Sequence, residues 1–180
     1  MKIKKEIIGQ NVLLRLVNID DKDAYYNAGF RDMDEQSRYF TQTQHNFSQQ
    51  QIYDYIDRII EDETRYDFLI VDLTNQICGE SVLNEIDWDN RSANFRVALF
   101  DHENFGKGIG SVAVKLTVQF GFDELGLDRV ELEVFDFNER AIRSYLKTGF
   151  KVDNSEEVTL LDGSLGKVIK MSLTKKQFIA

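Results

Sequence analysis

A glycine-rich hexapeptide, Phe105-Gly106-Lys107-Gly108-Ile109-Gly110, separates two stretches with different periods. Before it, Ser92, Asn94 and Arg96 interleave with Ala93, Phe95 and Val97, the period of a strand. After it, Ile109, Val112, Ala113, Leu116 and Phe120 fall on one helical face. A strand that turns into a helix through glycines gathers free backbone N–H groups at one spot, where the helix adds about half a positive charge. The junction therefore demands an α/β chain and suggests a phosphate-binding loop. The plainer alternative is a tight turn whose glycines serve only φ > 0 and close packing. A Walker loop is excluded, because Lys107 is followed by Gly108 rather than Ser or Thr. A dinucleotide fingerprint can be fitted to Gly108, Gly110 and Ala113. It demands an apolar parallel strand before it and further βα units after it, and only one such unit follows.

The other elements surround this junction. Residues 11–17 (NVLLRLV) read as a first strand, and Asp20 and Asp21 open a short helix through Ala28. Ser48 and Gln51 form a capping box ahead of Ile52, Ile56, Ile59 and Ile60. Strands are expected at 68–71, 78–86, 92–100 and 129–135. Asn138 starts a helix that buries Ala141, Ile142, Tyr145 and Leu146 and ends at Gly149. A hairpin, 157–161 and 167–173, turns at Asp162-Gly163. The order β-α-α-β-β-β-α-β-α-β-β predicts a mixed sheet with helices on both faces.

Composition narrows the setting. The chain has 180 residues, 42% hydrophobic and 29% charged, which suits one globular domain over residues 1–180. It holds no proline, so no Pro-rich linker divides it. A formal charge of −9 argues against nucleic acid as the main ligand. No apolar run approaches the ~20 residues of a membrane span. A single cysteine, Cys78, fits a buried role and a cytoplasmic location. His45 and His102 lack metal-ligand spacing, so no metal is expected. Residues 1–90 carry 9 basic and 18 acidic residues, whereas residues 91–180 carry 13 of each. Glycine is distributed oppositely, three in the first half and eight in the second.

The sequence from Asn138 to Phe150, NERAIRSYLKTGF, follows the glycine loop at a spacing of 28 residues from Gly110. Together the two motifs resemble the GNAT superfamily of acetyl-CoA-dependent N-acetyltransferases, whose helix pattern N-x-x-A-x-x-x-Y-x-K-x-G-F is matched at Asn138, Ala141, Tyr145, Lys147, Gly149 and Phe150. The likeness extends from Leu14-Arg15-Leu16 over almost the whole chain and is nearest to the Rim-type (ribosomal-protein-alanine) and polyamine branch. Phe105 stands where the superfamily usually has Gln or Arg. Ala93-Asn94-Phe95-Arg96 stands where the branch often has A-E-x-G, so a carboxylate is missing there.

The resemblance implies an α/β single-domain GNAT fold with a mixed, mostly antiparallel sheet of six to seven strands, splayed at its centre. Acetyl-CoA would lie along the loop Phe105, Gly106, Lys107, Gly108, Ile109, Gly110 and Ser111. The backbone of Val97, Ala98 and Leu99 would pair with the pantetheine arm, and Asn138 and Tyr145 would contact the cofactor. Lys107 is equally an ordinary solvated lysine, and Arg140, Arg143 and Lys147 read first as a solvated face. Tyr145 lies two helical turns after Asn138 and is the candidate proton donor to the departing thiolate. Glu80, Glu85 and Asp87 are candidates for the general base. Glu85 is preferred because it matches a glutamate of polyamine-like members, and a water chain is the alternative. The acidic half would form a negative funnel for a cationic amine, either a polyamine or a peptide N-terminus, unless its acids serve solubility alone. Tyr25, Tyr26, Phe30, Tyr39, Phe40 and Trp88 would wall the acceptor pocket or fill the core. A non-catalytic acyl-CoA-binding module remains a second reading, and branch members are often homodimers.

Overall fold

A computed structural model describes residues 2–3 and 6–179. Eight strands form one sheet: β1 (Ile7–Ile8), β2 (Val12–Leu16), β3 (Tyr66–Asp72), β4 (Ile77–Asp87), β5 (Ser92–Leu99), β6 (Arg129–Phe135), β7 (Lys151–Thr159) and β8 (Leu165–Thr174). Their spatial order is β1-β2-β3-β4-β5-β6-β8-β7, and every neighbouring pair is antiparallel except β5–β6. The helices are α1 (Lys22–Gly29), α2 (Glu35–Thr41), α3 (Gln49–Glu61), α4 (Ile109–Asp123), α5 (Glu139–Thr148) and α6 (Lys175–Ile179). None is long and apolar enough to cross a membrane.

The expected sheet gains one strand, the two-residue β1, which is too short for any period to show. Two helices also went unread. α2 has seven residues and α6 five, and α2 is set by its cap, Asp34, which accepts from the Ser37 N–H at 2.8 Å. β7 begins at Lys151 rather than at residue 157, because residues 151–157 are all exposed and their side chains carry no alternation. The Ser48–Gln51 capping box and the left-handed Gly149 form as the residue types require.

The sheet buries both faces, as strand β3 shows most simply. Phe68 and Ile70 point to one side, where they join Leu14, Val118, Phe120 and Phe150 under α4 and α5. Leu69 and Val71 point to the other, against Tyr25, Ile52, Ile56 and Ile59 of α1 and α3. Each fully buried side chain of this size contributes about 1.5–3 kcal/mol. Cys78 is buried in the first cluster, and burial, with Asp72 nearby, pushes its thiol up to about 11.

The sheet opens at its centre. β5 and β6 pair only over Ser92–Asn94 and Arg129–Glu131, three registered residues. Beyond them β5 runs on to Leu99 held by β4 alone, and β6 runs on to Phe135 held by β8 alone. Gly79 lets β4 stay close there: a Cβ on it would meet the Ala98 carbonyl oxygen at 2.2 Å.

Candidate active site

The gap between β5 and β6 widens into a cavity of about 460 Å³. Alternation decides which backbone groups face it. Phe100 donates to the Cys78 carbonyl, and in an antiparallel ladder this fixes Ala98 and Arg96 as residues that bond β4. The N–H groups of Val97 and Leu99 therefore point away from β4, toward the gap. The Leu99 carbonyl is met from the same side by the Ser37 hydroxyl at 2.9 Å. Ala98, expected to act with them, turns its backbone the other way and contributes its side-chain face.

The glycine loop closes one end. Gly106 (φ +75°) and Gly108 (φ +79°) sit in the left-handed region, and a Cβ on either would meet nothing within 4 Å. Their requirement is conformational, then, and the space beside them is open. Gly108 caps α4 without a side chain, so the first N–H groups of that helix keep no side-chain acceptor. Phe105, Gly106, Gly108, Gly110 and Ser111 line the cavity. Lys107 and Ile109 do not: Lys107 is exposed and Ile109 is buried in the core. An anion is well matched by this end, with unfilled N–H groups, a helix N-terminus and no obstructing Cβ.

α5 forms the opposite wall. Asn138 caps it by accepting from the Ala141 N–H at 3.3 Å and lines the cavity with Ala141, Ser144 and Tyr145. The Ser144 and Ser111 hydroxyls lie 2.9 Å apart and tie α5 to the first turn of α4. Tyr145 is buried, its ring edge-on to Phe95 and tilted against Phe150. Among the described residues nothing hydrogen-bonds its hydroxyl. Burial raises its ionisation well above the ordinary tyrosine value, so the phenol stays protonated. Arg140, expected on a solvated face, instead lies over Phe105, 3.5 Å from the ring centre, and lines the cavity mouth. Arg143 and Lys147 are exposed, as expected.

A second cavity, about 520 Å³, lies against α1 and α3. Ser37, Thr41, Arg96, Ala98 and Leu99 line both, so the two adjoin across β5. Glu80 lies in its wall and is engaged on both oxygens: Arg96 reaches one at 2.7 Å, and the Tyr25 hydroxyl donates to the other at 2.5 Å. Burial first, then the Glu80 charge, raises Tyr25 well above its ordinary value. The Tyr55 hydroxyl accepts from Arg96 at 2.9 Å and from Arg65 at 3.0 Å, and burial with nearby Glu80 pushes it up to about 12. Arg65 in turn grips Asp67 with two contacts of 2.7 Å.

Glu85, the preferred base, is not brought here. It sits exposed at positive φ (+52°) where the β4–β5 register shifts, and it lines neither cavity. Asp87 is exposed beyond it. Asn94, standing where a carboxylate was expected, donates across the strands to Asn84 at 2.9 Å. Tyr25 and Phe30 line the second cavity and Phe40 the first, whereas Tyr39 and Trp88 are half exposed and line neither. Arg58, Arg65, Tyr55 and Ser37 went unnoticed in the sequence. Tyr55 and Arg58, each one residue before a buried isoleucine of the α3 pattern (Ile56 and Ile59), sat beside a recognisable signal. The dinucleotide alternative fails, because the strand ahead of the loop is antiparallel to β4 and meets β6 over three residues only.

Residues 11–151 match the family model for the acetyltransferase (GNAT) domain. The chain belongs to the GNAT acetyltransferase family. As a GNAT enzyme it is an N-acetyltransferase that uses acetyl-CoA. It is 31% identical over 128 residues to a spermidine N(1)-acetyltransferase of Escherichia coli K12, spanning 71% of this chain and 68% of that one. It is 26% identical over 175 residues to an uncharacterized N-acetyltransferase of the SPbeta prophage of Bacillus subtilis, spanning 94% and 93%. Two solved structures share the GNAT fold. One is the spermidine N-acetyltransferase of Vibrio cholerae in complex with CoA and spermine (TM-score 0.84, 20% identity, 96% of this chain and 100% of that one). The other is the ribosomal-protein-S5-alanine acetyltransferase of Vibrio fischeri (TM-score 0.85, 18% identity, 97% and 98%).

Proposed function

We propose that the chain moves the acetyl group of acetyl-CoA directly to a primary amine within a ternary complex, with Tyr145 donating the proton taken by the departing thiolate. What carries this is the Tyr145 hydroxyl, protonated and without a partner among the described residues, at the wall of the gap between β5 and β6. The uncapped start of α4 holds the pyrophosphate, with Asn138 and Ser111 beside it. Val97 and Leu99 offer N–H groups to the pantetheine amides and the thioester carbonyl. The amine enters from the second cavity, on the acceptor-side half formed largely by residues 1–90, while residues 91–180 carry most of the acetyl-CoA site.

An alkylammonium titrates near ~10, so about one molecule in a thousand is free amine at neutral pH. The free amine attacks the thioester carbon, its N–C bond forms and the C–S bond breaks. Tyr145 gives its proton to sulfur as the charge develops there and takes one back from water after CoA departs. The proton shed by nitrogen leaves through the open second cavity to water. Glu80 steadies Arg96 and Tyr25 with both oxygens, which leaves water the better acceptor of that proton. Relatives that acetylate spermidine, and a fold shared with an enzyme named for a ribosomal-protein alanine, support a polyamine or a peptide N-terminus as acceptor. A cytoplasmic homodimer accompanies the same reading.

The test is release of free CoA thiol from acetyl-CoA across a panel of amines, alongside thermal shift with acetyl-CoA and with NAD. Stabilisation by acetyl-CoA and acceleration by at least one amine are expected. Binding without acceleration by any amine would favour the non-catalytic module.

A further inference from the structure

Resting on that transfer reading, the charges of the second cavity narrow its acceptor. Four formally charged side chains line it: Arg58, Arg65, Arg96 and Glu80. The single carboxylate already holds Arg96 at 2.7 Å and the Tyr25 hydroxyl at 2.5 Å. Arg65 is fixed on Asp67. Arg58 is exposed and has no carboxylate partner among the described residues. Its described contact is with the Tyr55 ring, 5.6 Å from the ring centre.

Apart from Glu80, the acids that make residues 1–90 so negative do not line this wall. Asp21 pairs with Arg15, Asp57 with Lys22, and the Asp62 carboxylate accepts from Thr64. The expected negative funnel is thus absent from the cavity lining, where Glu80 holds Arg96 and Asp67 holds Arg65, and Arg58 alone is left without a carboxylate partner among the described residues. Such a lining disfavours a molecule bringing two or three ammonium groups and favours one bringing an anion beside its amine. A guanidinium presents a planar fork of N–H donors suited to a carboxylate.

We infer that the acceptor carries its own carboxylate, seated on Arg58, as in a free amino acid or a peptide with an acidic residue next to its N-terminus. The amine then lies toward Arg96, Ala98 and Leu99, the residues that join this cavity to the acetyl-CoA cavity.

The experiment compares kcat/KM, by thiol release, for four acceptors: Ser-Glu-Leu-amide, its isostere Ser-Gln-Leu-amide, free glutamate and spermidine. The better of the two acid-bearing acceptors should exceed both Ser-Gln-Leu-amide and spermidine by at least tenfold. Whether the peptide or the free amino acid leads identifies the source of the carboxylate. Arg58→Gln should shrink that preference to threefold or less by raising KM for the acid-bearing acceptor while leaving its kcat in place. Equal or better use of spermidine, or of the Gln isostere, overturns the inference while leaving acetyl transfer intact. Turnover of none of a wide amine panel overturns the transfer reading and this one with it.

Discussion

Replacing Tyr145 by phenylalanine removes one oxygen and nothing else, and the structure sets what that should do. The ring remains against Phe95 and Phe150. A partnered neutral hydroxyl contributes about 0.5–1.5 kcal/mol, but this one has no partner among the described residues to lose. In a domain of this size ~1 kcal/mol moves Tm by about 2–4 °C, so Tyr145→Phe should shift it by less than about 2 °C. Tyr145→Ala, which empties the ring's place in the core, should cost ~3–5 kcal/mol. The acetyl-CoA Kd, by titration calorimetry, should stay within about threefold for Tyr145→Phe. Turnover should fall by at least tenfold, about 1.4 kcal/mol of transition-state stabilisation, and toward the ~10²–10⁴ that a positioned general acid contributes. The pH profile adds a second reading. Burial holds the phenol above its ordinary value, so the wild-type rate should climb with free amine toward pH 10 without a tyrosine limb near ~10. Unchanged kcat would reduce Tyr145 to a packing residue. A Tm loss above about 4 °C would mean the hydroxyl has a structural partner after all.

The remaining expectations concern other parts of the molecule. Gly108→Ala places a Cβ at φ +79° without a clash, so ~1–2 kcal/mol of backbone strain should appear as weaker acetyl-CoA binding in calorimetry. Glu80→Gln should lower kcat/KM at least fivefold in the thiol assay by loosening Arg96 and Tyr25, whereas exposed Glu85→Gln should change it by less than twofold. His102 bonds Asp34 at 2.6 Å, which raises its ionisation above the ordinary value. Its contribution to folding is therefore complete below about pH 6.5 and is lost as pH rises through the raised value. In an NMR titration Asp34→Asn should return that value toward ~6.5, and an unmoved midpoint would contradict the assignment.

Much of the first cavity's lining was legible because its requirements are local. Left-handed glycines, the Asn138 cap and the spacing to Tyr145 are each dictated within a turn or two of the chain. The second cavity was not, and Arg96 shows why. Its alternation in β5 was visible, but its neighbours Glu80, Tyr55 and Tyr25 come from three other elements, 16 to 71 residues away in sequence. Acid counting misled for the same reason. A total charge says nothing about whether Asp21 and Asp57 turn to Arg15 and Lys22 or to a cavity. Glu85, preferred by resemblance, lies where the register shifts between Asn84 and Asp87, and that break in the ladder leaves no trace in the local sequence.

The three-residue meeting of β5 and β6 gives the sheet a rim in its interior. Outer rims of sheets recruit stray strands unless blunted, and β7 shields its own with a run of charged and polar residues. Here the rim lies inside the cavity that α4 and α5 line, and it keeps unpaired backbone groups of the kind an edge offers to amides. A pantetheine arm, with two amide groups in an extended linker, supplies what a short added strand would. Hydrogen exchange at Val97 and Leu99 should therefore slow sharply with acetyl-CoA while Ala98, bonded to β4, barely responds. On the proposed binding, the molecule would be a sheet finished by its own substrate.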